Sequence, residues 1–238
     1  FTEGGGDKIG RLDPSTGVFT EWTLPTLLSY PNCITVSSGL VYFTEFDGNK
    51  IGRLDPSSGV FTEWTIPTSS PAPWDLDVNN GLVYFTEGNG VKIGCLDPSS
   101  GVFKEWTVPT GSTALRGVVV YNGIVYFGEY SSDKIGRLNP STGVFTEWTL
   151  SGSGPWGITA YNGFVYIAEL SSNKIGRLDP STGVVKEWTV PTAASAPRNV
   201  VVDDGVVYFT EYLGNKVGRL NVSPLTTTTT SVSRAVSY

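Results

Sequence analysis

Histidine and methionine are absent from the 238-residue sequence, and only two cysteines occur. No apolar run reaches 18 residues, so no segment has the length of a membrane-spanning helix. The sequence also lacks a cysteine pair at metal-ligand spacing, a Gly-X-Ser-X-Gly nucleophile turn and a glycine-rich phosphate-binding loop. These absences exclude the metal, acyl-transfer and nucleotide sites that sequence motifs reveal, and we predict neither a metal nor a cofactor.

The missing methionine also bears on location, because the sequence begins at Phe1, in the middle of a repeat. A cleaved secretory signal peptide would explain such a start, so we expect a secreted or cell-surface protein. The sequon at Asn221 is compatible with export and is a candidate glycosylation site. Cys33 and Cys95 occupy different strand positions in different repeats, so we expect two unpaired thiols.

A repeat of about 42 residues fills most of the chain. Its tryptophan, in Glu-Trp-Thr, recurs at Trp22, Trp64, Trp106, Trp148 and Trp188. Each full copy has four short apolar runs, which alternate with turn sequences. Asn-Gly or Asp-Gly between the first two runs suits a type I′ hairpin, and Asp-Pro-Ser-Thr-Gly between the last two suits a longer turn. Four strands at this period predict an all-β fold, a six-bladed β-propeller with four antiparallel strands per blade.

The first and sixth copies depart from the pattern. The first supplies only Phe1-Thr2-Glu3 of its second strand, so the first blade is incomplete in its N-terminal part. We therefore divide the chain into a propeller over residues 1–225 and a Thr/Ser-rich segment over residues 226–238. Thr226 to Thr230 can form the outer strand of the sixth blade, since threonine is a good strand former.

The end of this segment is the only part of the sequence left to complete the first blade. The residues of this predicted assembly strand are Arg234, Ala235, Val236, Ser237 and Tyr238. If the strand folds back, the ring closes within one molecule. If it pairs with a neighbouring subunit, the head-to-tail contact produces a homo-oligomer or filament, and we favour this second arrangement.

One end of each predicted blade, which we call the mouth, collects the start of strand one and the end of strand two. The glutamates that end the second strands are Glu3, Glu45, Glu87, Glu129, Glu169 and Glu211. Because this glutamate is present in all six copies, we interpret it as structural, bonded to nearby lysines or to the backbone. The alternative is a ring of carboxylates that binds a cation.

The residue that opens each inner strand varies from copy to copy and also lies at the mouth. These residues are Asn32, Trp74, Arg116, Trp156 and Arg198. Mutual packing explains the two tryptophans in one interpretation. In the other, they form an aromatic platform for a ligand, assisted by the two arginines. A net charge of −6 disfavours nucleic acid as the partner.

The repeats resemble those of the virginiamycin B lyase (streptogramin lyase) family of β-propellers. The resemblance rests on Phe-Thr-Glu, Asn-Lys-Ile-Gly-Arg-Leu, Glu-Trp-Thr-Leu-Pro-Thr and a Pro-X-Gly-Ile strand, as in Pro155 to Ile158. It implies an enzyme that opens a cyclic depsipeptide by elimination at an ester, with a magnesium ion and with histidines, one typically at X. This chain has asparagine, tryptophan and arginine at those positions.

Without histidine, the predicted site lacks the family's metal ligand and its proton-transfer group together. We therefore predict a non-enzymatic, extracellular structural propeller that self-assembles through its C-terminal strand. Two alternatives stay open. One is a ligand-binding propeller that uses the mouth, and the other is a divergent carbon-oxygen lyase.

Overall fold

The computed structural model describes residues 1–111 and 114–222, and these residues form six antiparallel sheets. Two sheets have three strands and four sheets have four strands in this part of the chain. The six sheets confirm the predicted six-bladed propeller. The C-terminal segment, with the predicted assembly strand and Thr226 to Thr230, lies outside the described residues.

The strands run in chain order through each blade. Blade one contains β1 (Thr2–Glu3), β2 (Lys8–Leu12) and β3 (Phe19–Thr23). Blade two contains β4 (Pro31–Ser37), β5 (Leu40–Glu45), β6 (Lys50–Asp55) and β7 (Val60–Thr65). Blade three contains β8 (Pro73–Asn79), β9 (Leu82–Glu87), β10 (Lys92–Asp97) and β11 (Val102–Thr107). Blade four contains β12 (Leu115–Tyr121), β13 (Ile124–Glu129), β14 (Lys134–Asn139) and β15 (Val144–Thr149). Blade five contains β16 (Pro155–Tyr161), β17 (Phe164–Glu169), β18 (Lys174–Asp179) and β19 (Val184–Thr189). Blade six contains β20 (Pro197–Asp203), β21 (Val206–Glu211) and β22 (Lys216–Asn221).

Short helices are the only other regular structure in the described residues. They are two single-turn 3₁₀ helices, Gly4–Gly6 and Tyr130–Ser132. None of the described helices is long and apolar enough to span a membrane. The first strands of successive blades, β4, β8, β12, β16 and β20, pack on one another and form the inner wall of the ring.

In five of the six described sheets an aromatic ring covers a glycine on the next strand, and blade five has Ile167 in place of the ring. The ring of Phe43 on β5 lies over Gly52 on β6, and a Cβ added at Gly52 would be 2.2 Å from the Phe43 ring. Phe85 and Gly94 repeat this contact in blade three, as do Phe127 and Gly136 in blade four. The three phenylalanines are fully buried, so the glycine is required by close packing between strands two and three.

Ion pairs join strands three and four and reach the preceding blade. Lys50 on β6 donates to Glu63 on β7 at 2.7 Å, and Thr26, in the segment before β4, donates its hydroxyl to the same carboxylate at 2.7 Å. Equivalent Lys–Glu pairs occur in blades one, three, four and five. A glutamate of the Glu-Trp-Thr motif therefore connects its own blade to the segment that leaves the preceding one.

The contact between phenylalanine and glycine can be tested in blade four. We expect Gly136→Ala to destabilise the protein by about 1–3 kcal/mol, because the new methyl group must displace the buried Phe127 ring. Chemical denaturation measures the change. The control is Gly5→Ala, where no atom lies within 4 Å of the added Cβ. Equal stability of Gly136→Ala and the control would contradict this packing.

Candidate functional site at the mouth of the ring

The mouth is shaped by a bulge at the start of each inner strand. In blade five, Pro155 pairs with Glu169 and Ile158 with Ile167, so Trp156 and Gly157 together face one residue of β17. The same register shift occurs in β4, β8, β12 and β20. Bulges re-aim side chains, and in these five strands they lie at the end of the blade that forms the mouth.

The second bulge residue decides how closely neighbouring inner strands approach. It is glycine in blades four and five, where a Cβ on Gly117 would be 2.6 Å from the Trp156 carbonyl oxygen and one on Gly157 would be 2.4 Å from that of Arg198. In the other described inner strands this residue is Cys33, Asp75 or Asn199. On the side of the mouth formed by blades two, three and six, side chains therefore take the place of this close contact between backbones.

A cavity of about 310 Å³ lies on that side, and we call it the mouth cavity. Its lining residues are Tyr30, Asn32, Cys33, Trp74, Asp75, Trp156, Gly157, Arg198 and Asn199. Four of the five predicted ligand-binding candidates, Asn32, Trp74, Trp156 and Arg198, therefore line one cavity. Asn32 also donates its side-chain amide to the Trp74 carbonyl oxygen at 2.8 Å, which fixes it against blade three.

The two tryptophans contact each other across the mouth. Their ring centroids are 5.2 Å apart with an interplanar angle of 87°, an edge-to-face arrangement. Phe46 packs edge-on against Trp74 at 5.5 Å, and Tyr130 packs against Trp156 at 5.4 Å. The rings pack on each other and also line the cavity, and their use as a platform for a ligand stays a prediction.

The fifth candidate, Arg116, lies behind this wall. Its guanidinium carbon is 4.1 Å from the Trp74 ring centroid and 5.0 Å from that of Trp156, and its Nη1 donates to the Leu115 carbonyl oxygen. Burial, together with the charge of Arg198, lowers the pKa of the Arg116 guanidinium. Arg116 therefore supports the tryptophans by cation–π contact and does not line the mouth cavity.

Arg198 also contacts the aromatic cluster. Its guanidinium carbon lies 4.8 Å from the Trp156 ring centroid and 4.9 Å from that of Tyr212. No ion pair joins Arg198 or Arg116 to an acidic residue in the described part of the chain. The mouth therefore presents positive charge on an aromatic surface, within a protein whose net charge is negative.

Asp75 is the carboxyl group of the mouth cavity. Its Oδ1 accepts from Cys33 Sγ at 2.5 Å and from the Leu76 amide at 2.9 Å, and its Oδ2 accepts from the Val118 amide of the next blade at 2.9 Å. Burial raises the pKa of Asp75, and burial beside this carboxyl raises the pKa of the Cys33 thiol well above its usual value. Cys33 and Cys95 are both free thiols.

The glutamates of the predicted ring lie at the mouth end of the strands but beneath its surface. Side chains of Glu45, Glu87, Glu129 and Glu169 are completely buried, and both carboxylate oxygens of Glu45 and Glu87 lack a hydrogen-bond partner among the described residues. Burial raises the pKa of Glu45 to about 8 and those of Glu87 and Glu169 to about 7.

This arrangement corrects the expected pairing of these glutamates with lysines. Each lysine of Lys-Ile-Gly in blades one to five pairs instead with the glutamate of Glu-Trp-Thr, which lies diagonally opposite it on strand four. The buried glutamates are also too dispersed for a shared cation, because the described residues contain no group of three acidic or cysteine side chains that could hold a metal ion.

Several residues of the site were not identified from the sequence. Phe46, Tyr130 and Tyr212 each follow a second-strand glutamate, and an aromatic residue in three of six copies was the available signal. Asp75 occupies a position that holds cysteine, glycine or asparagine in other copies. The charged residue at this position in blade three is an exception to the repeat.

Comparison with known proteins decides the family. The model of the virginiamycin B lyase family matches residues 1–120 and 78–233. The chain belongs to the virginiamycin B lyase family. Virginiamycin B lyase from Staphylococcus aureus is 35% identical, with a TM-score of 0.85 over 92% of this chain and 75% of that one. No curated protein sequence matches the chain at a significant level.

Two further family structures are similarly close. A catalytically inactive histidine-to-alanine variant of the S. aureus lyase with quinupristin is 34% identical, with a TM-score of 0.83 over 90% of this chain and 74% of that one. A streptogramin B lyase is 30% identical, with a TM-score of 0.84 over 94% and 79%. The prediction of a non-enzymatic protein is wrong at the level of the family, because these relatives are lyases.

The magnesium and histidines that the resemblance implies do not fit this mouth. The chain has no histidine, and the one carboxyl group in the mouth cavity, Asp75, already accepts three hydrogen bonds from protein donors. A hard divalent cation needs several oxygen ligands on one side, and the lining residues supply no second carboxylate. The residues of the mouth cavity therefore do not form a site for such a cation.

The buried glutamates predict a falling stability with rising pH. Between about pH 4.5 and 8 the unfolded chain ionises at Glu45 while the folded chain keeps the proton, so the free energy of unfolding decreases. Glu45→Gln removes this titration, and its stability relative to the unsubstituted protein should rise by up to ~1.4 kcal/mol per pH unit from pH 5 to 8.

Thermal unfolding at pH 5, 6, 7 and 8 measures this difference. Glu21→Gln is the control, since the Glu21 side chain is exposed and Lys8 lowers its pKa, so that it is ionised throughout this range. Parallel pH profiles for Glu45→Gln and the unsubstituted protein would show that Glu45 is ionised in the folded state.

Proposed function

We propose that this chain is a divergent carbon-oxygen lyase, which binds a cyclic depsipeptide at the mouth of the ring and opens it at an ester bond. One observation carries the proposal: the mouth cavity combines aromatic walls, an unpaired arginine and a carboxyl group in a member of a lyase family. A relative in that family has been solved with quinupristin, so quinupristin is the first compound to test.

The walls of the cavity suit part of such a ligand. A volume of about 310 Å³ is at the small end of ligand sites and accommodates a side chain or one edge of a macrocycle rather than the whole molecule. Trp74, Trp156 and Tyr30 supply flat apolar surface, while Asn32 and Asn199 supply amide groups. An aromatic or apolar substituent would enter the cavity, and the rest of the ring would lie across the mouth.

The proposed reaction is an elimination whose atoms balance without water. A base removes the proton α to a carbonyl group, and the electron pair of that C–H bond becomes a carbon–carbon double bond. The C–O bond of the ester at the β-carbon breaks, and the oxygen leaves as part of a carboxylate. The site must therefore accept one proton and stabilise negative charge on oxygen.

A test of this function is the conversion of quinupristin by the purified protein. Substrate and product are isomers, so we expect a new chromatographic peak of unchanged mass, with altered fragmentation and the ultraviolet absorbance of the new double bond. Trp156→Ala should lower kcat/KM by roughly tenfold or more, since the ligand loses an aromatic wall of the cavity.

Trp22→Ala is the matched control, because Trp22 also carries an arginine on its ring, Arg11 at 5.7 Å, but lies in the outer strand of blade one. Thermal unfolding shows whether both variants are folded. The proposal fails if the unsubstituted protein does not convert quinupristin or related cyclic depsipeptides, with or without added magnesium.

Three predictions from the sequence stay predictions. They are export from the cell, glycosylation at Asn221 and self-association through residues 234–238. The last segment lies outside the described residues. Size-exclusion chromatography with light scattering over a range of concentrations measures self-association.

A further inference from the structure

The mouth cavity contains one acidic and one basic side chain, and they lie on different blades. Asp75 is the second bulge residue of β8, and Arg198 is the first bulge residue of β20. An elimination needs one group that accepts a proton and one that holds negative charge. Asp75 and Arg198 are therefore the two residues whose charges match these tasks.

The surroundings of Asp75 suit a base. An ionised carboxylate offers about four lone-pair directions, and hydrogen bonds from Cys33, Leu76 and Val118 occupy three of them. One direction is left for a proton from a ligand. The three donors hold the carboxylate in place, and burial raises its pKa above that of an exposed aspartate, which makes it a stronger proton acceptor.

The other acidic groups near the mouth are less suitable. The Cys33 thiol has a pKa raised well above its usual value by burial, so it is protonated at neutral pH and acts as a donor to Asp75. The second-strand glutamates of blades two to five are completely buried and do not line the mouth cavity. Asp77, two residues beyond Asp75, does not line it either.

The surroundings of Arg198 suit an anion. Among the described residues, no ion pair or hydrogen bond joins its guanidinium to another side chain or backbone group, and its contacts are the rings of Trp156 and Tyr212. Its five N–H donors are therefore available to a ligand. A guanidinium matches a carboxylate with two parallel hydrogen bonds, and the aromatic faces restrict its orientation.

We infer that Asp75 is the general base of the elimination and that Arg198 binds the carboxylate that the broken ester bond releases. This inference rests on the proposed function for the identity of the reaction. Asp75 takes the α-proton and returns it to solvent, the electron pair forms the double bond, and the leaving oxygen is held by Arg198. The two residues thus supply proton acceptance and charge stabilisation in a chain without histidine.

Asp75→Asn tests the base. We expect turnover of quinupristin to fall at least 100-fold while binding of quinupristin, followed by tryptophan fluorescence, changes less than threefold. The matched control is Asp77→Asn, because Asp77 also accepts from its own strand (Val78) and from the next blade (Val120). Full turnover by folded Asp75→Asn, or an equal loss in Asp77→Asn, overturns the assignment.

The pH profile of the unsubstituted protein gives a second readout for Asp75. We expect kcat/KM to rise with pH to a plateau, with an apparent pKa above 3.8, the ordinary value of an aspartate. Asp77→Asn should keep this profile. A profile that is flat from pH 4 to 8 would contradict a titrating base.

Arg198→Gln tests the carboxylate site without any need for turnover by this protein. The probe is ring-opened quinupristin, prepared with the S. aureus lyase, and the reference is intact quinupristin. We expect Arg198→Gln to weaken binding of the ring-opened acid at least tenfold and that of intact quinupristin less than threefold. The control is Arg53→Gln, whose guanidinium lies 5.4 Å from the Trp64 ring, away from the mouth.

The outcomes separate the two proposals. If the unsubstituted protein does not turn over any cyclic depsipeptide, the proposed function and the role of Asp75 fail together, independently of the binding results for Arg198→Gln. If the unsubstituted protein converts a cyclic depsipeptide but Asp75→Asn remains active, only the inference fails. Equal effects of Arg198→Gln on the acid and on the intact ring overturn the carboxylate site, whether or not turnover occurs.

Discussion

The covering of a strand-three glycine by a strand-two phenylalanine is the contact on which the blade geometry depends. Because the rings of Phe43, Phe85 and Phe127 occupy the space above glycines, strands two and three approach closely and the rings are fully buried. Blades two, three and four share this close approach, whereas in blade five Ile167 and the Glu169 carboxylate lie next to Gly176. The blades stack through their inner strands, which brings the starts of these strands to one place at the mouth.

A regular scaffold lets a few positions vary without loss of the fold. The bulge at the start of each inner strand provides two such positions per blade, and the glycines at 117 and 157 bring inner strands together on one side of the mouth. On the other side, Cys33, Asp75 and Asn199 leave a cavity. The chemistry of the site therefore arises from side chains at the bulges, and the buried glutamates beneath them belong to the scaffold.

The repeat made most of the fold predictable from the sequence. Turn pairs such as Asn162-Gly163 and the spacing of the tryptophans predicted the strands and the number of blades. The alternating direction of the strands predicted which residues lie at the mouth. Trp74, Trp156 and Arg198, which begin inner strands, were recognisable because this position varies while the rest of the repeat is nearly constant. Arg116 was grouped with them, but packing against Trp74 places it behind the wall.

The remaining features depend on three-dimensional packing that a repeat pattern does not contain. Lys50 has two glutamates within reach along the sequence pattern, and only the buried orientation of Glu45 leaves Glu63 as its partner. Asp75 was missed because the bulge that turns its side chain towards the mouth cannot be read from residue types alone. The absence of histidine led to the prediction of a non-enzymatic protein, which the lyase relatives contradict.

A crystal structure of Asp75→Asn with quinupristin tests where the ligand binds. We expect electron density at the mouth, with a substituent against the rings of Trp74 and Trp156 and the ester oxygen within hydrogen-bond reach of Arg198. The α-carbon should face the side chain at position 75. Quinupristin bound at the opposite end of the ring, or at the mouth with its ester turned away from position 75 and Arg198, would contradict the proposed site.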